Sequence, residues 1–111
     1  MVGCMKKMYT KQCRNIEVHL IGDIAWILNK RVIRFRISKP IKVSELIDRL
    51  ARYAARKGLD QHVISKLFDS IHAHTLILIN DIEISALNEM DTIIKPCDKI
   101  VLLNFSHLGL T

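Results

Sequence analysis

The sequence predicts an α+β fold: a mixed sheet of four to five strands packed on one main helix, with a shorter second helix beside it. Three observations predict it. Apolar and polar residues alternate over residues 15–21 and 31–38, the signature of half-buried strands. After them lies an apolar stripe at helical spacing. Half of the residues are hydrophobic but only 5% are aromatic, so the core must be built from Ile, Leu and Val, a mixture that suits strands with one or two helices. A chain of 111 residues makes one domain with a single core.

Residues 1–14 are polar, Met-rich and without periodicity, and are expected to form a flexible extension in which Met5 or Met8 is an equally good start. The domain is expected over 15–105 and an exposed tail over 106–111. From Asn15 to Ile21, residues Ile16, Val18 and Leu20 face one way and Glu17 and His19 the other, which predicts a strand. Gly22-Asp23 breaks it, and Ile24 to Leu28 predicts one helical turn carrying Trp26. Arg31 to Ser38 alternates again, with Ile33, Phe35 and Ile37 on one face and Arg34 and Arg36 on the other. The short connection predicts an antiparallel hairpin.

Pro40 ends that strand. Val43, Leu46, Ile47, Leu50 and Ala54 then form the stripe of the main helix, with Glu45–Arg49 and Asp48–Arg52 as expected ion pairs and Gly58 as the left-handed residue after its end. Ile64, Leu67, Phe68 and Ile71 predict a second helix over Gln61 to Ile71, with Asp60 as N-cap. Thr75 to Asn80 is a continuous apolar run, consistent with a buried strand. Asn80-Asp81 turns the chain into a short strand over Ile82 to Ser85, and Leu87 to Asp91 reads as a loop or 3₁₀ turn. After the Lys95-Pro96-Cys97-Asp98 turn, Lys99 to Phe105 closes the sheet.

The composition excludes several classes. No apolar run approaches the ~20 residues that cross a bilayer, and residues 1–14 lack the apolar segment of a signal peptide, so a cytoplasmic protein is expected. Cys4, Cys13 and Cys97 are odd in number and scattered, which predicts reduced thiols, and Cys97 reads as a tolerated turn residue. The net charge of +6 fits a solvated surface or an acidic partner. A nucleic-acid role is not expected, because Arg49, Arg52 and Arg56 lie beside acids and no basic cluster is interleaved with aromatics. The His72-x-His74 pair has no Cys/His partner at zinc-finger spacing, so no metal is expected. No Ser-His-Asp set or Gly-rich phosphate loop can be argued from spacing, so the chain is read as a carrier or partner subunit without a catalytic group of its own.

Four segments carry a resemblance. Ile16-Glu17-Val18-His19-Leu20-Ile21-Gly22 resembles the first strand, and Ile41-Lys42-Val43-Ser44-Glu45-Leu46-Ile47 the start of the helix, of the ubiquitin-like sulfur carriers. That group comprises the molybdopterin synthase small subunit, the thiamine-biosynthesis sulfur carrier and the ubiquitin-related modifier. Leu76 to Ile84 resembles their next strand, turn and strand, and Asp98-Lys99-Ile100-Val101-Leu102-Leu103 the strand that leads to their tail. The similarity runs from about Asn15 to Gly109, and the element order is that of the ubiquitin-like β-grasp. It implies a protein whose C-terminal Gly is adenylated by an activating enzyme and then converted to a thiocarboxylate. ATP and a sulfur donor enter through that enzyme, and the carrier itself binds no cofactor. Residues without a Cβ suit a tail that threads a narrow channel.

By position, Gly109 matches the family's final Gly and His107 the His before it, while Leu108 stands at the penultimate Gly and Leu110 and Thr111 follow. The resemblance therefore implies trimming of Leu110-Thr111 by a processing peptidase. Leu87 and Leu103 match apolar positions with which the family docks on an activating enzyme or a molybdopterin synthase large subunit, and Phe105 extends the same strand face; the other reading of all three is ordinary core. The alternative function is a non-conjugating β-grasp protein-binding module that lacks the Gly-Gly end and associates with itself through the tail.

Overall fold

The computed structural model describes residues 13–104, and the side chains of all of these but Ser70, His72 and Ala73. Strand β1 spans Asn15–Gly22, with Ile16, Val18 and Leu20 almost fully buried and Glu17 and His19 on the opposite face. Gly22 has a φ of 94°, which takes the chain out of the strand and into helix α1, Asp23–Leu28. Ile24 and Leu28, one turn apart, face the core and leave Trp26 86% exposed. Asn29, in the left-handed region, ends the turn and feeds β2, Val32–Arg36. Strands β1 and β2 pair antiparallel from Asn15↔Arg36 to His19↔Val32, the expected hairpin.

Helix α2, Val43–Arg56, buries the whole predicted stripe of Val43, Leu46, Ile47, Leu50 and Ala54. Each large aliphatic side chain so buried stabilises the fold by about 1.5–3 kcal/mol. Tyr53 of this helix packs edge-on against Phe35 of β2, with ring centroids 6.4 Å apart. The helix ends as predicted: Gly58 has a φ of 86°, and the N–H groups of Gly58 and Leu59 donate to the carbonyls of Ala55 and Ala54. The expected ion pairs along α2 do not form among the described residues. Arg49 instead donates to the Arg36 carbonyl at 3.1 Å, tying the helix to the end of β2.

Helix α3 spans Gln61–His74, three residues longer than predicted, with Ile64, Leu67 and Ile71 buried. Asp60 occupies the N-cap position but makes no side-chain cap bond. Residues 72–74 are therefore helical, so His72 and His74 do not have the strand spacing that would chelate a metal.

Strand β4, Thr75–Ile79, turns through Asn80 and Asp81, both at positive φ, into β5, Ile82–Glu83. The short strand expected as far as Ser85 gives way at Ile84 to a 3₁₀ turn (Ile84–Ala86), and a second one covers Glu89–Asp91. Two elements were not anticipated: β3, Ile41–Lys42, pairs antiparallel with β6, Ile93–Ile94. A two-residue strand has no period to read. Strand β7, Lys99–Asn104, occupies the centre of a five-stranded sheet of order β2-β1-β7-β4-β5, parallel to β1 and antiparallel to β4. Its Ile100 and Leu102 are fully buried.

The expectation of unpaired thiols is corrected. Cys13 and Cys97 form a disulfide, with Cα atoms 5.4 Å apart across a sequence separation of 84. The separation hid the pair, and the parallel run of β1 and β7 creates it, because both strands start at the same edge of the domain. Residues 13 and 14 accordingly belong to the folded unit rather than to an extension, and the Arg14 carbonyl accepts from the Ile37 N–H at 2.8 Å.

Candidate functional site

Side chains alternate across β7, and α2 and α3 pack with the sheet face that carries Ile100 and Leu102. Lys99, Val101 and Leu103 point to the other face. Register then decides what surrounds them. Leu103 is flanked by Ile21 of β1 and Leu76 of β4, and Val101 by His19 and Leu78. Adjacent strands lie about 4.8 Å apart, so Ile21, Leu103 and Leu76 form one apolar row across three strands. Ile21 is 45% exposed and Leu76 41% exposed, so this row faces solvent instead of the core. An exposed apolar row on a sheet face is a surface suited to a protein partner.

The row lies at the C-terminal end of β7. Asn104, the last described residue, is fully buried, and its Nδ2 donates to Thr75 Oγ1 at 2.6 Å. This bond ties the end of β7 to the start of β4.

A charged cluster borders the row on the β1–β2 side. The Glu17 carboxylate meets His19 Nε2 at 3.1 Å and Arg34 Nη2 at 3.2 Å. The hydrogen bond from His19, and after it the Arg34 guanidinium, hold the Glu17 carboxyl below the usual carboxylate range despite some desolvation. Lys99 stands opposite Glu17 on β7, so the face grades from apolar at Leu103 to charged at Lys99.

Of the residues singled out in sequence, Leu103 lies in the row, on the outward face that alternation predicts. Leu87 is 44% exposed but lies between the two 3₁₀ turns, on none of the strands that build the row. Phe105, His107, Leu108 and Gly109 lie outside the described residues. Ile21 and Leu76 were missed. Ile21 ends an alternating run in phase with the solvent-facing Glu17 and His19, which was the available signal. Leu76 was hidden inside Leu76-Ile77-Leu78-Ile79, a run without alternation, and the expectation that this strand is wholly buried is corrected by its exposure. Among the described residues no three His, Cys, Asp or Glu side chains gather as a metal site, and no helix is long and apolar enough to cross a membrane.

A central last strand that is parallel to the first, in a mixed sheet packed on a main helix, defines a ubiquitin-like β-grasp protein. The family model of Urm1, the ubiquitin related modifier, matches residues 15–109, and the chain belongs to that family. Solved structures share the fold. The HVO 2177 protein of Haloferax volcanii superposes with a TM-score of 0.61 at 14% identity over 84% of both chains. SAMP1 of Haloferax volcanii gives 0.58 at 15% identity, over 83% of this chain and 96% of that one. The small archaeal modifier protein 1 of Methanosarcina acetivorans gives 0.57 at 18% identity, over 83% and 93%. No curated protein matches the chain by sequence. The protein is thus a ubiquitin-like small modifier or sulfur carrier in the broad sense of its family.

Proposed function

We propose that the protein is a cytoplasmic sulfur carrier or modifier activated at Gly109 once the residues after it are removed. An ATP-dependent activating enzyme forms an acyl-adenylate at the Gly109 carboxylate, and a sulfur donor then displaces AMP to leave a thiocarboxylate. The carrier contributes no catalytic group. It contributes a docking face, the row of Ile21, Leu76 and Leu103, and the C-terminal carboxylate that is activated. The observation that carries this reading is the exposed apolar row at the C-terminal end of β7, the strand that precedes the tail in sequence.

The experiment is intact-mass measurement of a chain ending at Gly109 after incubation with ATP, a sulfur donor and an activating enzyme. The expected product has one oxygen replaced by sulfur. No mass change under conditions that convert a Gly-Gly carrier would sink the proposal. A second reading is favoured by Leu108, which puts a bulky side chain where the channel of an activating enzyme favours glycine. In that reading the same row binds a partner without conjugation, whether a synthase large subunit or a second copy. Leu108→Gly separates the two: faster thiocarboxylation indicates a carrier, and partner binding with no activation in either form indicates a binding module.

A further inference from the structure

The Cys13–Cys97 pair lies away from the apolar row, at the edge where β1 and β7 both begin. Cys97 is exposed and Cys13 half-buried, so the bond is within reach of solvent thiols. The backbone beside each cysteine is held independently of the bond. The Cys97 N–H donates to the Asn15 carbonyl at 2.9 Å, the Ile37 N–H to the Arg14 carbonyl at 2.8 Å, and the Glu17 N–H to the Asp98 carbonyl at 3.3 Å. The 95–98 turn is closed by its own bonds, with the Lys95 N–H donating to Asp98 Oδ2 at 2.8 Å and Asn80 Nδ2 to Asp98 Oδ1 at 2.9 Å. Opening the disulfide therefore leaves two thiols still facing each other, and a dithiol held in place recloses as an intramolecular step at high effective concentration. Cys97 also has a φ of 80°, a left-handed conformation that favours glycine, yet the position carries a thiol.

We propose that Cys13 and Cys97 form a reversible redox staple. On closing, the Cys97 thiolate attacks a low-molecular-weight disulfide of the glutathione class and expels one thiol, leaving a mixed disulfide on Cys97. The Cys13 thiolate then attacks Cys97 Sγ and expels the second thiol. Two protein thiols are oxidised and one small disulfide is reduced to two thiols. A dithiol reductant reverses both steps. The closed staple constrains the unfolded chain through a long loop. Leu103 lies four residues beyond Lys99, about 13 Å along the strand, so both states leave the apolar row uncovered. The staple adjusts the durability of the domain without acting on its docking face.

The full chain is equilibrated with glutathione disulfide or with dithiothreitol in native buffer, then mapped by non-reducing peptide mass spectrometry and melted. The expected result is a Cys13–Cys97 peptide under oxidising conditions and free thiols under reducing ones, with the oxidised form melting about 10–20 °C higher. Cys13→Ser and Cys97→Gly should each give coincident melting curves in the two buffers. The glycine keeps the left-handed turn, so loss of the redox response there reports the bond and not the backbone. Cys4→Ser should keep the full response. Free Cys13 and Cys97 after oxidation, pairing of Cys4 with either one, equal melting temperatures, or reduction that requires denaturant would each overturn the proposal. Thiocarboxylation measured in parallel distinguishes this outcome from failure of the carrier reading.

Discussion

The two ends of β7 are built by different means. At its start, the 95–98 turn is crossed by polar bonds to Asn15, Glu17 and Asn80 and by the bond from Cys97 to Cys13. At its end a part-buried side-chain bond runs from Asn104 to Thr75, beside an apolar row open to solvent. One strand thus has an anchored end and a presenting end. On the proposed function, the anchored end holds the strand in register while the other end presents the apolar row.

The largest effect should come from breaking the strand between its two ends. Leu102 is fully buried at the centre of the sheet, and Leu102→Ala should cost about 2–5 kcal/mol in denaturant unfolding. It should loosen both ends together. Next come single changes at each end. Asp98→Ala removes the acceptor for Asn80 Nδ2 and the Lys95 N–H, and Asn104→Ala removes the donor to Thr75; each should cost about 1–3 kcal/mol. Hydrogen exchange should tell them apart, with faster exchange near Asn15 and Asn80 in the first and near Thr75 in the second. Identical exchange patterns would remove the distinction between the ends.

Leu103→Arg acts on the presenting end alone. It should leave stability nearly unchanged, since the side chain is on the outward face, and weaken binding to the activating enzyme by roughly tenfold or more in calorimetry. Unchanged affinity would show that the row is not the docking face. The smallest effect concerns pH. Glu17 is held below its ordinary value, near 4.5, when folded. Its stabilisation is therefore present above that value and is lost as pH falls through the lowered one. The stability difference between wild type and Glu17→Gln should favour wild type at neutral pH and vanish in strong acid, read from denaturant midpoints across the range.

Much of this was legible in the residues. Ile16, Val18 and Leu20, the stripe from Val43 to Ala54, Gly58 after the helix and Asn80-Asp81 in the turn all encode their conformations locally, because period and backbone preference act over a few residues. The order of those elements was enough for the resemblance to the ubiquitin-like carriers. The end of α3 and the β3–β6 pair were not legible, since a fraying helix terminus and a two-residue strand carry too little local pattern.

Local periodicity, then, settles which residues face inward in β1, β2 and α2, and that is as far as one-dimensional pattern reaches. Which outward residues become neighbours depends on strand register. Ile21, Leu76 and Leu103 are far apart in the chain and side by side in the sheet only because β7 inserts between β1 and β4. Cys13 and Cys97 meet for the same reason. Register is fixed by burying Ile16, Val18, Ile77, Ile79, Ile100 and Leu102 together in one core, a cooperative condition on the whole fold that no single segment contains.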